Sequence, residues 1–335
     1  MTEAVLLVGG QGTRLRPLTE HTPKPMLPVA GIPVTEHQIA RAREAGVTRV
    51  ILGTSYRAEV FRDHFGDGEA LGVELVYATE EEPLGTGGAI AHVAPLLRSG
   101  PNDPVLVFNG DVLSGVDLTA LVQTHLDTDA DVTLYLTRVA DPRPFGLVPT
   151  DDSSRVLAFL EKPQTPEEVV TDQINAGCYV FRRSVIDTIP TGRPVSVERE
   201  IFPGLLSSGA PVFAFVDDGY WLDLGTPLSY VRGSCDLVLG VAPSPLLEGR
   251  TGSSLVLEGA QVHESAVLTA GSCVGRNARV DAGALVEGSV VMHGAVVGEG
   301  AQLSNCVIGN GAMVEPGAIV SGVILADGAT VGASR

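Results

Sequence analysis

The sequence predicts an α/β domain with a mostly parallel sheet, followed by a parallel β-helix, and two observations carry that prediction. Residues 1 to 240 alternate short β-rich runs with stretches of helical pattern, as layered α/β domains do. From about residue 250 a six-residue repeat replaces this alternation. The chain has 335 residues, 44% of them hydrophobic, which is enough for two buried cores. We therefore expect one domain at 1–240 and a second at 250–335.

The first domain is predicted to begin with a buried strand at AVLLV (4–8) and a helix at PVTEHQIARAREAG (33–46). Pro33 suits the first turn of that helix, and Gly46 suits its C-terminal cap. The ligand crevice of such a sheet lies at the carboxyl ends of its strands. Further strands are predicted at RVILG (49–53), VELVY (73–77), PVLVF (104–108) and DVTLYL (131–136), with helices at AIAHVAPLLRSG (89–100) and DLTALVQTHL (117–126).

The second domain is predicted from an aliphatic residue that recurs at steps of six, with three steps of five. Ser, Ala or Cys stands two residues before nearly every one of them. This period fits neither a helix nor one face of a flat sheet, but it fits a parallel β-helix with three strands to a coil and its aliphatic residues inside. Fourteen repeats then make between four and five coils. The aliphatic positions are Val256, Val262, Leu268, Val274, Val280, Val286, Val291, Val297, Leu303, Ile308, Val314, Val320, Leu325 and Val331.

Composition excludes several classes of function. The net charge of -18 argues against a broad nucleic-acid or membrane surface, which needs clustered Lys and Arg. The beginning of the chain resembles neither a signal peptide nor a membrane anchor, so we expect a cytoplasmic protein. The four cysteines have no C-x-x-C pair and no histidine at metal-ligand spacing, and we expect reduced, structural thiols.

The segment LVGGQGTRLRPL, after the first strand, is typical of an anion-binding loop. Gly9, Gly10 and Gly12 let the backbone turn tightly and present its N–H groups to a ligand. The segment has neither the ending of a Walker loop nor the G-x-G-x-x-G of a dinucleotide-binding fold. Glycines alone would indicate only a tight turn. The nearby cations Arg14 and Lys24 make a phosphate chain the expected ligand.

Lysine fills only two of the 22 basic positions, Lys24 in PKPM and Lys162 in EKP. A compact ammonium with freely rotating donors suits a crowded phosphoryl centre better than the planar fork of arginine. The alternative is that an arginine-rich composition left two ordinary surface lysines. Their joint placement in the motifs described next favours the functional interpretation.

The segment GGQGTRLRPLTEHTPKPMLPV (9–29) resembles the signature of the sugar-1-phosphate nucleotidyltransferases, most of all their mannose-1-phosphate guanylyltransferase branch. The resemblance implies a Rossmann-like, GT-A-like catalytic domain, and the repeat is similar to the left-handed β-helix of many members. One departure is Gly87, where the pattern has alanine, and we expect glycine to be tolerated. The similarity continues through EEPLGTGGAI (81–90), FNGDVL (108–113), FGLV (145–148), EKP (161–163), NAGCYVF (175–181), SVEREIFP (196–203) and GYWLDLGTP (219–227).

The resemblance implies a reaction in which a sugar 1-phosphate attacks the α-phosphorus of a nucleoside triphosphate and expels pyrophosphate. Both reactants are polyanions, so the protein must align them and offset their repulsion. By resemblance, Arg14 holds the β and γ phosphates, Lys24 lies beside the α-phosphoryl group, and Lys162 holds the sugar phosphate. The implied cofactor is Mg²⁺, with Asp111 and Asp223 as its ligands; otherwise these are a turn aspartate and a hydrogen-bonding aspartate.

The same resemblance assigns residues to each substrate. Gly146 and Gly177 have the alternative of being turn or bulge glycines. Those implied for the nucleotide are Leu7, Gly9, Gly10, Gly12, Thr13, Arg14, Glu82, Leu84, Gly85, Thr86, Gly88, Asn109 and Gly110. Those implied for the acceptor are Gly146, Glu161, Lys162, Asn175 and Gly177.

The expected function is transfer of GMP from GTP to mannose 1-phosphate by a homo-oligomer. Alternatives within the reaction class are a cyclitol 1-phosphate as acceptor or a glucose-1-phosphate thymidylyltransferase. A non-catalytic regulatory or assembly subunit is a third interpretation, against which the retained charged residues argue. A hexapeptide acyltransferase would need His263 or His293 as base, and a solvent-facing coil histidine is the expected identity of each.

Overall fold

The structure is a computed structural model that describes residues 3–10, 12–163 and 165–332. These form two compact units, one of residues 3–10 and 38–221, the other of residues 12–37 and 222–332. The domain limits at 1–240 and 250–335 stay a prediction, and residues 1–2, 11, 164 and 333–335 of those ranges lie outside the described residues.

The helices of the described segments follow the predicted order. The two predicted at 33–46 and 117–126 are confirmed, except that Pro33 ends a short strand (Ile32–Pro33) and does not open the first helix. The third, predicted at 89–100, instead begins at Gly85 and ends at Val93, where a 3₁₀ turn that contains Pro95 follows. The helices are α1 (Val34–Glu44), α2 (Ala58–Phe65), α3 (Gly85–Val93), α4 (Leu118–Asp127), α5 (Arg183–Ile186), α6 (Phe202–Ser207) and α7 (Pro227–Leu239). Short 3₁₀ turns lie at Thr13–Leu15, Lys24–Met26, Glu69–Leu71, Ala94–Leu96, Pro166–Glu168 and Pro245–Leu247, and a π-helical turn at Val197–Ile201.

The strands before the repeat confirm the five predicted ones and add shorter ones. They are β1 (Glu3–Leu7), β2 (Pro28–Val29), β3 (Ile32–Pro33), β4 (Arg49–Thr54), β5 (Glu74–Thr79), β6 (Pro104–Asn109), β7 (Val112–Ser114), β8 (Val132–Arg138), β9 (Gly146–Leu147), β10 (Leu160–Glu161), β11 (Gln173–Arg182), β12 (Val212–Val216) and β13 (Trp221–Asp223).

A nine-stranded mixed sheet forms the centre of the first unit. Its order is β10-β9-β11-β6-β1-β4-β5, and β8 with β12 joins it at β11. β1 is parallel to β4 and β6, whereas β11 runs antiparallel to β6 and β8. Leu7 and Asn109 are partners in register at the ends of β1 and β6. The loops after these two strands therefore leave the sheet at the same edge, where the sequence predicts the ligand crevice.

The main core of the first unit is aliphatic and aromatic. Strand residues such as Val5, Ile51 and Val107 are fully buried, and they pack with the rings of Tyr179 and Phe202. Because parallel strands here carry side chains that are buried on both faces, their sequences are continuous apolar runs. This core fixes the strand ends from which the loops of interest start.

The repeat folds as predicted into fourteen short strands in the described residues. These are β14 (Ser254–Val256), β15 (Gln261–Val262), β16 (Val267–Thr269), β17 (Ser272–Val274), β18 (Arg279–Val280), β19 (Leu285–Glu287), β20 (Val290–Val291), β21 (Val296–Val297), β22 (Gln302–Ser304), β23 (Val307–Ile308), β24 (Met313–Val314), β25 (Ile319–Ser321), β26 (Ile324–Leu325) and β27 (Thr330–Val331).

The coils are three-sided, and their shortened steps recur at one corner. Every third strand belongs to the same parallel sheet: one begins with β14, one with β15 and one with β16. The three steps of five lie at 286 to 291, 303 to 308 and 320 to 325, each between a strand of the third sheet and a strand of the first. A one-residue deletion at a corner changes the turn and leaves the ladder register intact.

The aliphatic positions are interior in the middle coils and less so at the end. Val274, Val286 and Val314 are fully buried, together with small residues such as Ala278. Val256 differs from the prediction, since 44% of its surface is exposed. It stands in the first strand of the repeat, where no preceding coil covers it.

All four cysteines are buried free thiols, as expected. Burial raises the pKa of Cys235 and of Cys273 to about 12, which keeps them protonated. Among the described residues, no helix combines the length and the apolar character needed to cross a bilayer.

Candidate active site

The glycine loop after β1 is glycine-rich for steric reasons. Gly10 and Gly12 have φ values of 115° and 57°, in the left-handed range that glycine adopts without strain. A Cβ on Gly9 would stand 2.8 Å from Oγ of Ser55, and the N–H of Gly10 donates to that same oxygen at 3.4 Å. The exposed backbone at Gly9 and Gly10 is thus open to a ligand.

Lys24 lies close to the end of this loop, within the second unit. A Cβ on Gly12 would be 2.8 Å from Cβ of Lys24, so any side chain at Gly12 would displace the lysine. The hydroxyl of Thr19 donates to the carbonyl of Gly12 at 2.9 Å, which holds this end of the loop in place. Nζ of Lys24 is 3.8 Å from Oδ1 of Asp223, and the two side chains are 11% and 31% exposed.

Arg14 and Asp223 border the same small space, beside Gly225. A Cβ on Gly225 would stand 2.7 Å from Nη2 of Arg14 and 3.0 Å from both carboxylate oxygens of Asp223. The structure therefore brings together Arg14, Lys24 and Asp223, which the sequence places far apart. Two cations and one carboxylate in one place suit a phosphate chain that carries a metal ion.

A hairpin immediately after Lys24 holds this segment in place. β2 and β3 pair around Ala30 and Gly31, whose φ values of 49° and 76° are those of a type I′ turn. Two residues of α7 contact it: the hydroxyl of Tyr230 donates to the carbonyl of Pro28, and Oγ of Ser234 accepts from the N–H of Ala30 at 2.9 Å. Both side chains of α7 are fully buried, and the bond to Ser234 is shielded from water, whereas the bond to Pro28 is partly buried.

His37, on the first turn of α1, provides a third contact to the hairpin. Its Nε2 lies 3.2 Å from the carbonyl of Val29 and its Nδ1 2.7 Å from Oγ of Ser244. Nε2 therefore donates to the carbonyl, and Nδ1 accepts from the hydroxyl. Burial lowers the pKa of His37 to about 4, against smaller opposing effects of the Val29 carbonyl and of Glu36. The ring is neutral at pH 7.

In the first unit, Asn109 is the last residue of β6, and Gly110 and Asp111 follow it. A Cβ on Gly110 would be 2.7 Å from the carbonyl oxygen of Leu7, so only glycine allows this approach of β1 to the turn. A Cβ on Gly177 would be 2.9 Å from Nδ2 of Asn109. The nucleotide candidates Leu7, Asn109 and Gly110 are thus brought together with the acceptor candidate Gly177.

The bulge in β11 shapes the acceptor candidates. Its register with β8 shifts between Asn175 and Tyr179, and Gly177 has a φ of 76°. Oδ1 of Asn175 accepts from the N–H of Gly177 at 3.2 Å, and its Nδ2 donates to the hydroxyl of Tyr179 at 2.8 Å. Burial raises the pKa of Tyr179, which keeps that hydroxyl protonated. Gly177 is the bulge glycine that the sequence offered as an alternative, and it stands beside the candidate site.

Gly146, Glu161 and Lys162 form a second acceptor group in that unit. Gly146 and Glu161 are register partners in β9 and β10, and a Cβ on Gly146 would stand 2.9 Å from Oε2 of Glu161. Lys162 has a φ of 51°, which is strained for a residue with a side chain. Its ammonium is 3.6 Å from Oε1 of Glu161, and its side chain is 58% exposed.

The loop 82–88 leads into α3. A Cβ on Gly85, whose φ is 70°, would lie 2.6 Å from the carbonyl oxygen of Val195. The hydroxyl of Thr86 donates to Oε2 of Glu198 at 2.8 Å. At Gly87 an alanine Cβ would be 2.8 Å from Cγ1 of Val195, so Val195 occupies the space that an alanine side chain would need. This packing explains why glycine stands there.

Three further residues support these loops and escaped the sequence analysis. Ser55 contacts Gly9, Gly225 makes room for Arg14 and Asp223, and Gln38 contacts the turn that carries Asp111. Each lies outside the motifs that carry the resemblance, apart from Gly225 in GYWLDLGTP. A sequence signal was present only for Gly225. Among the described residues, no three or more His, Cys, Asp or Glu side chains form a metal-binding group.

Three features together define a nucleotidyltransferase fold. They are a mixed sheet with a glycine loop after its first strand, three converging charged groups, and a parallel β-helix later in the chain. Comparison with known proteins agrees. A family model described as "Nucleotidyl transferase" matches residues 3–238, and one described as "GMPPB C-terminal domain" matches residues 250–334. The chain belongs to the nucleotidyl transferase family, and it is an enzyme of that class.

Two relatives are similar over most of the chain. The mannose-1-phosphate guanylyltransferase of Mycobacterium tuberculosis is 58% identical over 282 residues, which cover 84% of this chain and 77% of that one. The probable mannose-1-phosphate guanylyltransferase 1 of Oryza sativa is 37% identical over 289 residues, which cover 85% of this chain and 78% of that one.

Two solved structures support the fold. HddC from Yersinia pseudotuberculosis, described also in complex with GMP-PN, has a TM-score of 0.60 at 29% identity and covers 70% of this chain and 98% of its own. A putative glucose-1-phosphate thymidylyltransferase from Bacillus anthracis has a TM-score of 0.62 at 24% identity, covering 70% of this chain and 94% of its own. The second likeness concerns the fold alone.

Proposed function

We propose that the protein transfers GMP from GTP to mannose 1-phosphate, giving GDP-mannose and pyrophosphate. The observation that carries the proposal is the grouping of Arg14, Lys24 and Asp223 around Gly225, directly after the glycine loop. The 58% identity to a mannose-1-phosphate guanylyltransferase supports the choice of base and sugar. A regulatory or assembly subunit would have no need of this grouping.

The proposed roles follow from charge and burial. Lys24, nearly buried beside a carboxylate, is suited to the α-phosphoryl group, where negative charge builds during attack. Arg14, exposed and with a planar fork, is suited to the β and γ phosphates of the leaving group. The exposed backbone at Gly9 and Gly10 is suited to line the path of the triphosphate. Thr13, Glu82, Gly85, Thr86 and Gly88 remain the proposed contacts of the nucleoside and its phosphates.

The acceptor is proposed to bind the second group of residues. Lys162 takes the phosphate of the incoming sugar, and the carboxylate of Glu161 accepts from its ring hydroxyls. Gly146 leaves room for that carboxylate, and Asn175 and Gly177 shape the neighbouring bulge. The attack needs no side-chain nucleophile, because the acceptor's own phosphate oxygen attacks the α-phosphorus.

Mg²⁺ is the proposed cofactor, and Asp111 and Asp223 are its proposed ligands, each to be tested by itself. The donor set fits, because Mg²⁺ prefers one or two carboxylates together with substrate phosphates over an all-protein cage. When bound, the ion neutralises part of the phosphate charge. The partial exposure of both carboxylates leaves oxygens accessible to it. Asp111→Asn is expected to lose metal-dependent turnover while remaining folded.

Pyrophosphate release tests the proposal. The four nucleoside triphosphates are assayed against mannose, glucose and cyclitol 1-phosphates, with and without Mg²⁺. We expect turnover with GTP and mannose 1-phosphate that depends on the metal. Preference for dTTP with glucose 1-phosphate, or for a cyclitol phosphate, would replace base or acceptor but keep the reaction class. Absence of pyrophosphate in every combination would overturn the enzyme assignment.

We also propose that the enzyme is a cytoplasmic homo-oligomer. Four buried free thiols suit a reducing compartment. The outer faces of the β-helix carry exposed apolar residues, among them Val267, Met313 and Ile319, of the kind that symmetric oligomers cover. Light scattering of the purified protein tests the oligomer, and a monomer at micromolar concentration would contradict it.

A further inference from the structure

The turn that carries Asp111 is held from one side by a single side chain of α1. Nε2 of Gln38 donates to the carbonyl of Asn109 at 2.9 Å and to the carbonyl of Val112 at 3.0 Å. These are the carbonyls on either side of Gly110 and Asp111. One carboxamide thus uses both of its N–H groups on the ends of a four-residue segment whose third residue is the proposed metal ligand.

The environment of Gln38 makes this contact rigid. The residue is 7% exposed and sits in the second turn of α1, so its side chain has little freedom. Among the described residues, no donor reaches its Oε1, which is also buried. A buried amide that leaves its own acceptor unpaired while both of its donors bind one turn is oriented by that turn. The opposite side of the turn is closed by Gly110, which lies against the carbonyl of Leu7.

We propose that Gln38 is a positioning residue for the metal site: it fixes the backbone of Gly110 and Asp111, and through it the direction of the Asp111 carboxylate. This inference rests on the proposed function, in which Asp111 binds the metal ion. Mg²⁺ demands near-ideal geometry, so a ligand on a loosened turn binds it less well. Partners that orient a metal ligand from outside typically affect metal affinity by about 10- to 100-fold.

The test is binding of Mn²⁺, as a stand-in for Mg²⁺, by the full-length protein with GTP and no acceptor. Electron paramagnetic resonance measures it as the loss of the free-ion signal beyond the loss that the same concentration of GTP causes without protein. Gln38→Met keeps the length and packing but removes both donors. The expected result is an apparent Kd for Mn²⁺ raised about tenfold. Gln38→Asn, which keeps an amide but shortens its reach, is the second variant should the first not fold, with the same expectation.

Arg41→Met is the matched control. Arg41 lies one turn further along α1, and its Nη2 donates to the carbonyl of Val116 at 2.6 Å, on the same chain segment but beyond the turn. Gln38→Met loses two partly buried hydrogen bonds to backbone carbonyls and Arg41→Met loses one, so both are expected to lower the unfolding temperature. Only the Gln38 variant is expected to weaken Mn²⁺ binding. Equal weakening in both, or wild-type binding in Gln38→Met, would overturn the inference.

Asp111→Asn separates this inference from the function on which it rests. If Asp111→Asn loses Mn²⁺ binding and Gln38→Met does not, the metal site stands and the role of Gln38 is wrong. If the wild-type protein binds Mn²⁺ and Asp111→Asn binds it equally well, the proposed ligand itself is wrong and the role of Gln38 falls with it.

Discussion

The two lysines of this chain lie in opposite surroundings. Lys24 is nearly buried, close to Asp223, on a segment whose following hairpin is held by three hydrogen-bonding side chains. Lys162 is mostly exposed and directly follows β10 at the edge of the sheet, where its ammonium lies 3.6 Å from Oε1 of Glu161. A fixed cation suits charge that develops at one point of a reaction, whereas an exposed one can follow an arriving substrate.

The largest effect that this comparison predicts is at the fixed lysine. Lys24→Ala is expected to lower kcat about 10²- to 10³-fold, the usual cost of removing one preorganised donor from a transition state. The Kd for GTP should change much less, because Arg14 and the loop glycines remain. Steady-state kinetics of pyrophosphate release and calorimetry of GTP binding provide the two measurements.

Charge alone should not rescue this site. In Lys24→Arg the planar guanidinium must fit where Gly12 and Asp223 crowd the side chain, so we expect it to recover only a small part of the lost rate. A loss of less than about tenfold in kcat for Lys24→Ala would remove the lysine from the transition state.

The second expected effect is a loss of stability in acid, and it comes from His37, which contacts the hairpin after Lys24. His37 has a pKa of about 4 when folded and about 6.5 when exposed, so the unfolded chain binds the extra proton first as pH falls. The contribution of this residue to the free energy of unfolding should therefore be complete above pH 6.5. It should decline towards pH 4, by at most about 1.4 kcal/mol per pH unit. Urea unfolding between pH 4.5 and pH 7 measures the slope.

A matched pair of variants tests which histidine causes this pH dependence of stability. His125, also buried with a pKa of about 4, lies on α4 in the first unit, near Arg182 and Asp129, and contributes to the same pH window. His37→Gln and His125→Gln should each flatten part of the dependence. Only His37→Gln should change kcat, because His37 contacts the hairpin after Lys24. A pH dependence in His37→Gln that is identical to wild type would contradict the assignment.

The third effect concerns the exposed lysine. Lys162→Ala is expected to raise the KM for the sugar phosphate about tenfold, roughly 1.4 kcal/mol for one charged contact, and to leave the Kd for GTP unchanged. Lys162→Arg should keep most of the affinity, since an exposed side chain has room for the larger head. Calorimetry with each substrate separates the two. Equal loss of both substrates would count against the assignment to the acceptor.

The sequence predicted the parts of the fold that repeat or follow local rules. The hexads placed all fourteen strands of the β-helix because each carries its own aliphatic residue, and the three steps of five recur at one corner of the coil. The exposure of Val256 was not predicted, because the six-residue period does not show which coil lacks a neighbouring coil. Strands such as β1 and β6 were found because buried parallel strands are continuous apolar runs.

The motifs predicted the charged residues of the candidate site, but they did not predict the residues that hold them in position. Arg14, Lys24 and Asp223 came from a resemblance, and the structure brings them together around Gly225. No sequence pattern pointed to Gln38 or Tyr230. Each donates to a distant backbone carbonyl, and because every residue type has such a carbonyl, the accepting segment has no distinctive sequence. Tyr230 and Pro28 are 202 positions apart. Such contacts are set by packing, which a single sequence does not display.

The smallest effect tests whether the rigidity around Lys24 matters for its function. Tyr230→Phe removes only the hydroxyl that donates to Pro28, at a cost of about 1 kcal/mol in the free energy of unfolding. Tyr77→Phe is the matched control, since the hydroxyl of Tyr77 donates to the carbonyl of Gly66 at 2.7 Å, outside the candidate site. We expect a several-fold lower kcat with an unchanged KM for Tyr230→Phe alone, because the hairpin next to Lys24 loosens while both substrates still bind. The same kcat in both variants would mean that the fixed position of Lys24 does not depend on α7, and the contrast between the two lysines would then rest on burial alone.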